Sequence, residues 1–237
     1  VDLIIEPMGS DFILWRCLHG GPLGPRTIDA PEPHPEIDWT ATRARNLPLL
    51  KKLIETYGTC AIVARRDDEV IGALRFYPKA LCTFSAVGGV AFCLQQAFPA
   101  GPKDDLVVGP FPPLDALADK TLFVHCLMIV APKDEPARYR RKGVATQMAL
   151  EMVRWARDRG WQAIEAYAYE EIPTLYEIAG VAGRRFWRKI GFRIVQADTE
   201  PGLTGELLET VRAEAVAAGI PAERAADRFK MRLDLSA

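Results

Sequence analysis

The sequence predicts an α/β protein built on one mixed, mostly antiparallel sheet of about seven strands, with one parallel pair and helices flanking it. Three observations carry this. Thr121 to Val130 is a run of strand length that is apolar on both faces, as a strand buried in mid-sheet must be. Beyond Pro132, apolar residues recur at Val144, Met148 and Met152, a helical spacing that closes with Arg157, Arg159 and Gly160. Ala163–Tyr169 then reads as another strand, and two strands joined through a crossover helix run parallel.

The remaining elements follow in chain order. Leu3, Ile4 and Ile5 predict a short first strand, and Asp11 to Leu18 the beginning of a helix. His19 to Glu36, with its GGPLGP and PEPHP runs, reads as an extended loop, because prolines without N–H groups break any phosphate cradle its glycines would make. Asn46 to Tyr57 places Leu49, Leu50, Leu53 and Ile54 on one face and ends at Gly58, so it reads as an amphipathic helix. Cys60 to Arg65 and Val70 to Phe76 form a hairpin about the polar run 66–69.

The stretch 78–120, rich in Pro and Gly, is longer than an ordinary connection and reads as an insertion covering the sheet or as a lid over an acceptor pocket. Gly180 to Lys189 predicts a helix, Phe192 to Val195 a strand and Gly205 to Ala218 a helix. Phe229, Met231, Leu233 and Leu235 alternate with Lys, Arg and Asp, the pattern of an antiparallel strand with one wet face. Nothing repeats and no linker divides the chain, so residues 1–237 read as a single domain with a helix and strand at about 204–235 closing it.

The turn before the second helix of this central unit is basic and small: Arg138, Arg140, Arg141 and Lys142, then Gly143, Val144, Ala145 and Thr146. A helix N-terminus offers unpaired N–H groups and the positive end of the macrodipole, and glycine lets an anion approach the backbone, so a pyrophosphate suits this turn. The residue order fits neither a P-loop nor a three-glycine dinucleotide motif. Arg140-x-x-Gly143-x-Ala145, following a strand that ends Val130-x-Pro132, resembles the coenzyme A signature of the GNAT superfamily of N-acetyltransferases. Phe186 to Phe192 resembles that family's later helix-to-strand junction.

The resemblance covers about residues 121 to 195 and implies a fold in which the parallel strands splay to admit the pantetheine arm of acetyl-CoA. The backbone of Leu127, Met128, Ile129 and Val130 would bind the arm, an N–H near Met128 or Val130 would polarise the thioester carbonyl, and the acceptor would be an amine. It also implies that Trp187 lies against the coenzyme, where many members carry a Tyr that protonates the leaving thiolate. A catalytic Glu of some members falls at Val124.

Candidate bases are therefore sought elsewhere: His125, whose ordinary pKa lies near neutrality, and Glu165 on the next strand. Glu170 and Glu171 read as an acidic rim for a cationic amine, and Tyr176 as an alternative proton donor to the thiolate. Cys126 reads as a buried hydrophobic residue.

Composition sets the outer bounds. With 49% hydrophobic and 26% charged residues, the 237-residue chain has the balance of a soluble globular protein with a substantial core. A formal charge of −1 argues against nucleic acid as the main partner, although the RYRRK run could touch phosphate. No apolar run nears the roughly 20 residues of a membrane span, and no charged leader precedes an apolar core, so a cytoplasmic protein is expected. Five scattered cysteines fit reduced thiols, and neither they nor the three histidines have metal spacing, so no metal is expected. The exposed insertion could serve as a homodimer surface. The expectation is an acetyl-CoA-dependent N-acyltransferase working by direct attack, with a non-catalytic coenzyme A sensor as the alternative.

Overall fold

The computed structural model describes residues 2–16, 18, 21–29, 38–82, 111–130, 139, 141–179 and 182–235, the side chains of 177–179 excepted. Seven strands share one sheet: β1 (Leu3–Pro7), β2 (Ala61–Arg66), β3 (Glu69–Pro78), β4 (Thr121–Ile129), β5 (Ala163–Tyr169), β6 (Arg193–Thr199) and β7 (Asp227–Asp234). Their order is β1-β2-β3-β4-β5-β7-β6, and every neighbouring pair is antiparallel except β4 with β5. Five α-helices are described: α1 (Trp39–Tyr57), α2 (Val144–Asp158), α3 (Pro173–Ala179), α4 (Arg184–Ile190) and α5 (Gly205–Ala217). None of them is long and apolar enough to cross a membrane.

The hairpin closes as its sequence requires, with Arg66 opposite Glu69 and Asp67 in the left-handed region at φ 56°, a conformation that Asp tolerates. Three expectations change. The segment predicted to begin a helix at Asp11 is irregular, because the buried Arg75 guanidinium takes the carbonyls of both Leu14 (2.7 Å) and Arg16. A helix would have directed those carbonyls along its own axis. Helix α1 starts at Trp39 rather than Asn46: the Asp38 carboxylate accepts from the Ala41 N–H at 2.9 Å, and Trp39 packs edge-on to Trp15. The helix predicted over 180–189 corresponds to α4, which starts at Arg184 with Gly183 as its N-cap, and the short α3 before it is an element the sequence reading does not contain. A Cβ at Gly183 would lie 2.5 Å from Tyr176 Oη and 2.8 Å from Glu171 Oε1, so a larger residue there would have to displace the ends of both side chains. Residues 83–110, most of the expected insertion, lie outside the described residues, as do half of the predicted 19–36 loop and any dimer surface on the insertion.

Helix α2 lies across β1 to β4 on one face of the sheet, burying Val144, Met148, Ala149, Met152 and Val153. Its approach is set by Gly72 on β3, where a Cβ would fall 2.8 Å from Ile129 Cδ1 and 3.2 Å from Met148 Cε. The first turns of α2 thus sit above the C-terminal end of β4. Helix α4 contacts α2, β5 and β7, over an apolar layer that includes Ala166, Ala168, Trp187, Phe229 and Met231. The opposite face of β5 and β7 carries Glu165 and Tyr167 beside Arg232, Lys230 and Arg228, so β7 has the wet face its alternation predicts.

The parallel pair is short. Its register runs from Thr121 opposite Ala163 to Val124 opposite Ala166, after which β4 continues to Ile129 and β5 to Tyr169 without pairing to each other. At the same place the β3–β4 ladder is bulged: Phe76 opposes Val124 and Arg75 opposes Cys126, which leaves His125 as the extra residue. A bulge bends its strand and increases the local twist, so it turns β4 away from β5 and produces the expected splay. Replacing Gly72 with Val should overpack the α2–sheet contact and lower stability by about 1–3 kcal/mol, measured as a reduced urea midpoint with an unchanged m-value.

Candidate functional site

Gly143 caps α2 in the left-handed region, at φ 78° and ψ 0°, with no side chain bonded to the helix end. The first intrahelical donor is Gln147 N–H, to Gly143 O at 3.0 Å, so the N–H groups of Val144, Ala145 and Thr146 precede the ladder and point out of the helix. The nearest atom to a Cβ at Gly143 would be Gln147 Nε2 at 3.9 Å, which leaves the approach open. Arg141, also left-handed at φ 57°, and Lys142 are exposed beside it. Arg138 and Arg140 lie outside the described residues. Three N–H groups, a helix dipole and two exposed cations meet at one open turn, a combination whose chemistry suits an anion.

The second element is the unpaired edge of β4. Val130 donates its N–H to Ile71 O at 2.9 Å, across to β3. Backbone groups alternate along a strand, so Met128 also faces β3, while Leu127 and Ile129 present theirs to the edge that β5 has left. This corrects the expectation that an N–H at Met128 or Val130 polarises a thioester; the available amides are those of Leu127 and Ile129.

The predicted bases fare differently from the predicted binding residues. Glu165 is 4% exposed and held by two cations, Arg232 at 2.8 Å and Lys79 at 2.9 Å, so it is a clamp between β5, β7 and the end of β3. Glu170, at 2% exposure, is bracketed by Arg184 and Arg224. Glu171 accepts from the Arg185 N–H at 2.7 Å and pairs with the Arg185 guanidinium. The acidic rim is therefore neutralised within the protein. Val124 is buried at the last paired position of β4, and Cys126 is buried as expected.

His125 sits where the strands part, its ring 5.5 Å from Tyr77. Burial pushes its pKa down to about 3, and the nearby Arg75 guanidinium pushes the same way. Such an imidazole is neutral at neutral pH and a poor proton acceptor, which overturns its expected role as a base tuned near neutrality. Its Nε2 is shielded from solvent and has no hydrogen-bond partner among the described residues.

Tyr176 lies on α3, beside Gly183 at the junction with α4, and its pKa is raised to about 12, by burial first and then by the Glu171 charge. It keeps its proton at neutral pH. Trp187 is enclosed in the layer under α4, and its Nε1 likewise has no partner among the described residues. Sequence reasoning missed Arg75, whose apolar surroundings in β3 gave no sign of what its guanidinium would hold.

The arrangement fits coenzyme A in two respects: a turn whose N–H groups suit a pyrophosphate, and a strand edge, unpaired among the described residues, that suits the pantetheine amides. No group of three or more metal-ligating side chains occurs among the described residues.

No protein-family model matches the sequence, and no curated protein matches it. Solved structures similar to it include an acetyltransferase of the GNAT family from Streptococcus pneumoniae, at 12% identity over 99% of this chain and 100% of that one, with a TM-score of 0.48. An N-acetyltransferase from Staphylococcus aureus Mu50 matches at 14% identity over the whole of both chains, TM-score 0.45. Ard1 from Thermoplasma volcanium matches at 10% identity, again over both whole chains, TM-score 0.44. Likenesses of this size say nothing of what this chain does.

A histidine whose pKa is lower in the fold than in the unfolded chain takes its proton first when unfolded, so stability rises with pH between about 3 and 6.5. On acidification below about 6.5 this group should remove stability at up to about 1.4 kcal/mol per pH unit, and His125→Gln should lack that component. Urea unfolding of both proteins at about pH 5 and about pH 7 measures the difference.

Proposed function

We propose that this chain is a coenzyme A-dependent N-acyltransferase of the GNAT kind, using acetyl-CoA and a primary amine, and acting in the cytoplasm. The observation that carries the reading is the coincidence of two incomplete backbone features. The glycine-capped N-terminus of α2 stands above the end of β4, where β4 has lost its parallel partner. A pyrophosphate on the N–H groups of Val144, Ala145 and Thr146 leaves the pantetheine arm to run along β4 and bond Leu127 and Ile129 as an added strand would.

The chemistry then follows from what the residues can hold. The neutral amine nitrogen attacks the thioester carbon, the N–C bond forms, and the carbonyl electrons move to oxygen. When the carbonyl re-forms, the C–S bond breaks and its electron pair leaves on sulfur. The amine proton passes to water, since Glu165 is engaged by two cations and His125 is too weak a base. The thiolate leaves and is protonated from solvent or by Tyr176, whose phenol remains protonated at neutral pH.

A second reading, a coenzyme A-binding module that does not turn over, is favoured by that shortage of a base and by Trp187 in place of a phenol. Thiol release from acetyl-CoA across a panel of amines separates the two. Amine-dependent release supports the enzyme, and tight binding without release supports the module. Gly143→Glu places a side chain at φ 78° and a negative charge at the anion turn, so it should weaken acetyl-CoA binding at least about tenfold in calorimetry while the circular dichroism spectrum is unchanged. Unaltered affinity would remove the assignment of the turn.

A further inference from the structure

Acyl transfer needs a donor for the negative charge that develops on the carbonyl oxygen. The N–H of Val130 is committed to Ile71 O, and alternation commits Met128 to β3 in the same way. The N–H groups of Leu127 and Ile129 face the open edge, but they lie further along the strand and suit the amides of a pantetheine arm. What remains at the point of parting is His125. It is the residue that the bulge inserts, it directly follows the last β4–β5 pair, and its Nε2 is shielded from water with no partner among the described residues. A shielded nitrogen left unpaired is destabilising relative to a bonded one, so a ligand that supplies the missing acceptor recovers that cost.

Resting on the acyltransferase reading above, we propose that the His125 imidazole donates from Nε2 to the thioester carbonyl oxygen and so stabilises the oxyanion of the tetrahedral intermediate. The groups that face the ring favour this. Arg75 and Tyr77 on β3 present a cation and a phenol ring, and that cation disfavours a charged imidazolium. A neutral imidazole donates one hydrogen bond and keeps its proton, as the polarisation of a carbonyl requires. No proton changes hands in this step: the carbonyl electron pair moves onto oxygen under the N–H and returns when the C–S bond breaks.

The test begins with the unmodified protein. Its His125 Nε2–H proton resonance should move downfield on binding acetyl-CoA and stay in place with S-ethyl-CoA, a thioether without the carbonyl. His125→Phe removes the donor, whereas His125→Gln restores an N–H at similar reach. His125→Phe should lower kcat about 100-fold, beyond any loss of acetyl-CoA affinity, and His125→Gln should recover most of both. In difference infrared spectra of acetyl-CoA labelled at the thioester carbonyl, the stretch should lie lower on the unmodified protein and His125→Gln than on His125→Phe. Acetyl-CoA that binds with the same resonance shift as S-ethyl-CoA overturns this role and leaves the acyltransferase reading standing. Acetyl-CoA that does not bind overturns both.

Discussion

The bulge at His125 is the constraint on which the candidate site depends. One extra residue in β4 shifts its register against β3, and the bend that follows ends the parallel ladder with β5 at Val124 and Ala166. Without it the two strands would continue side by side and their edges would satisfy each other. With it, β4 keeps an edge whose amides have no strand partner among the described residues. Arg75, opposite Cys126 at the bulge, is held through carbonyls of the segment near Leu14 and Arg16, so the irregular N-terminal chain and the bulge are tied together.

Most of the acidic groups near this opening are consumed by the fold. Glu165 joins Lys79 to Arg232, Glu170 joins Arg184 to Arg224, and Glu200 accepts from Tyr169 at 2.6 Å and pairs with Arg228. A buried carboxylate held by two guanidinium or ammonium groups is costly to release, because the cations would be left unpaired. Direct chemistry in such a setting falls to backbone amides and ring nitrogens, which orient and polarise a substrate but do not accept its proton.

The strands, the crossover helix and the glycine turn were legible because each rests on local rules: two-residue alternation, four-residue apolar spacing, and glycine where the chain turns left-handed. The hairpin at Asp67 and the C-cap at Gly58 were found for the same reason. The start of α1 was not, since it depends on Trp39 meeting Trp15 from a distant segment. Helix α3 and the start of α4 at Arg184 were not either, because the contacts of Gly183 with Tyr176 and Glu171 come from outside α4. His125 and Glu165 looked alike in the sequence as titratable groups on strands; their different fates come from burial, reinforced by Arg75, in one case and from Lys79 with Arg232 in the other.

The sequence by itself determined which segments are strands and helices and where an anion could meet a helix end, since periodicity and glycine act over a few residues. Only the tertiary structure decided which charged side chains are left over for chemistry and which strand edge stays open. Those outcomes depend on partners that approach from other elements, and on a register shift between strands that no local pattern records.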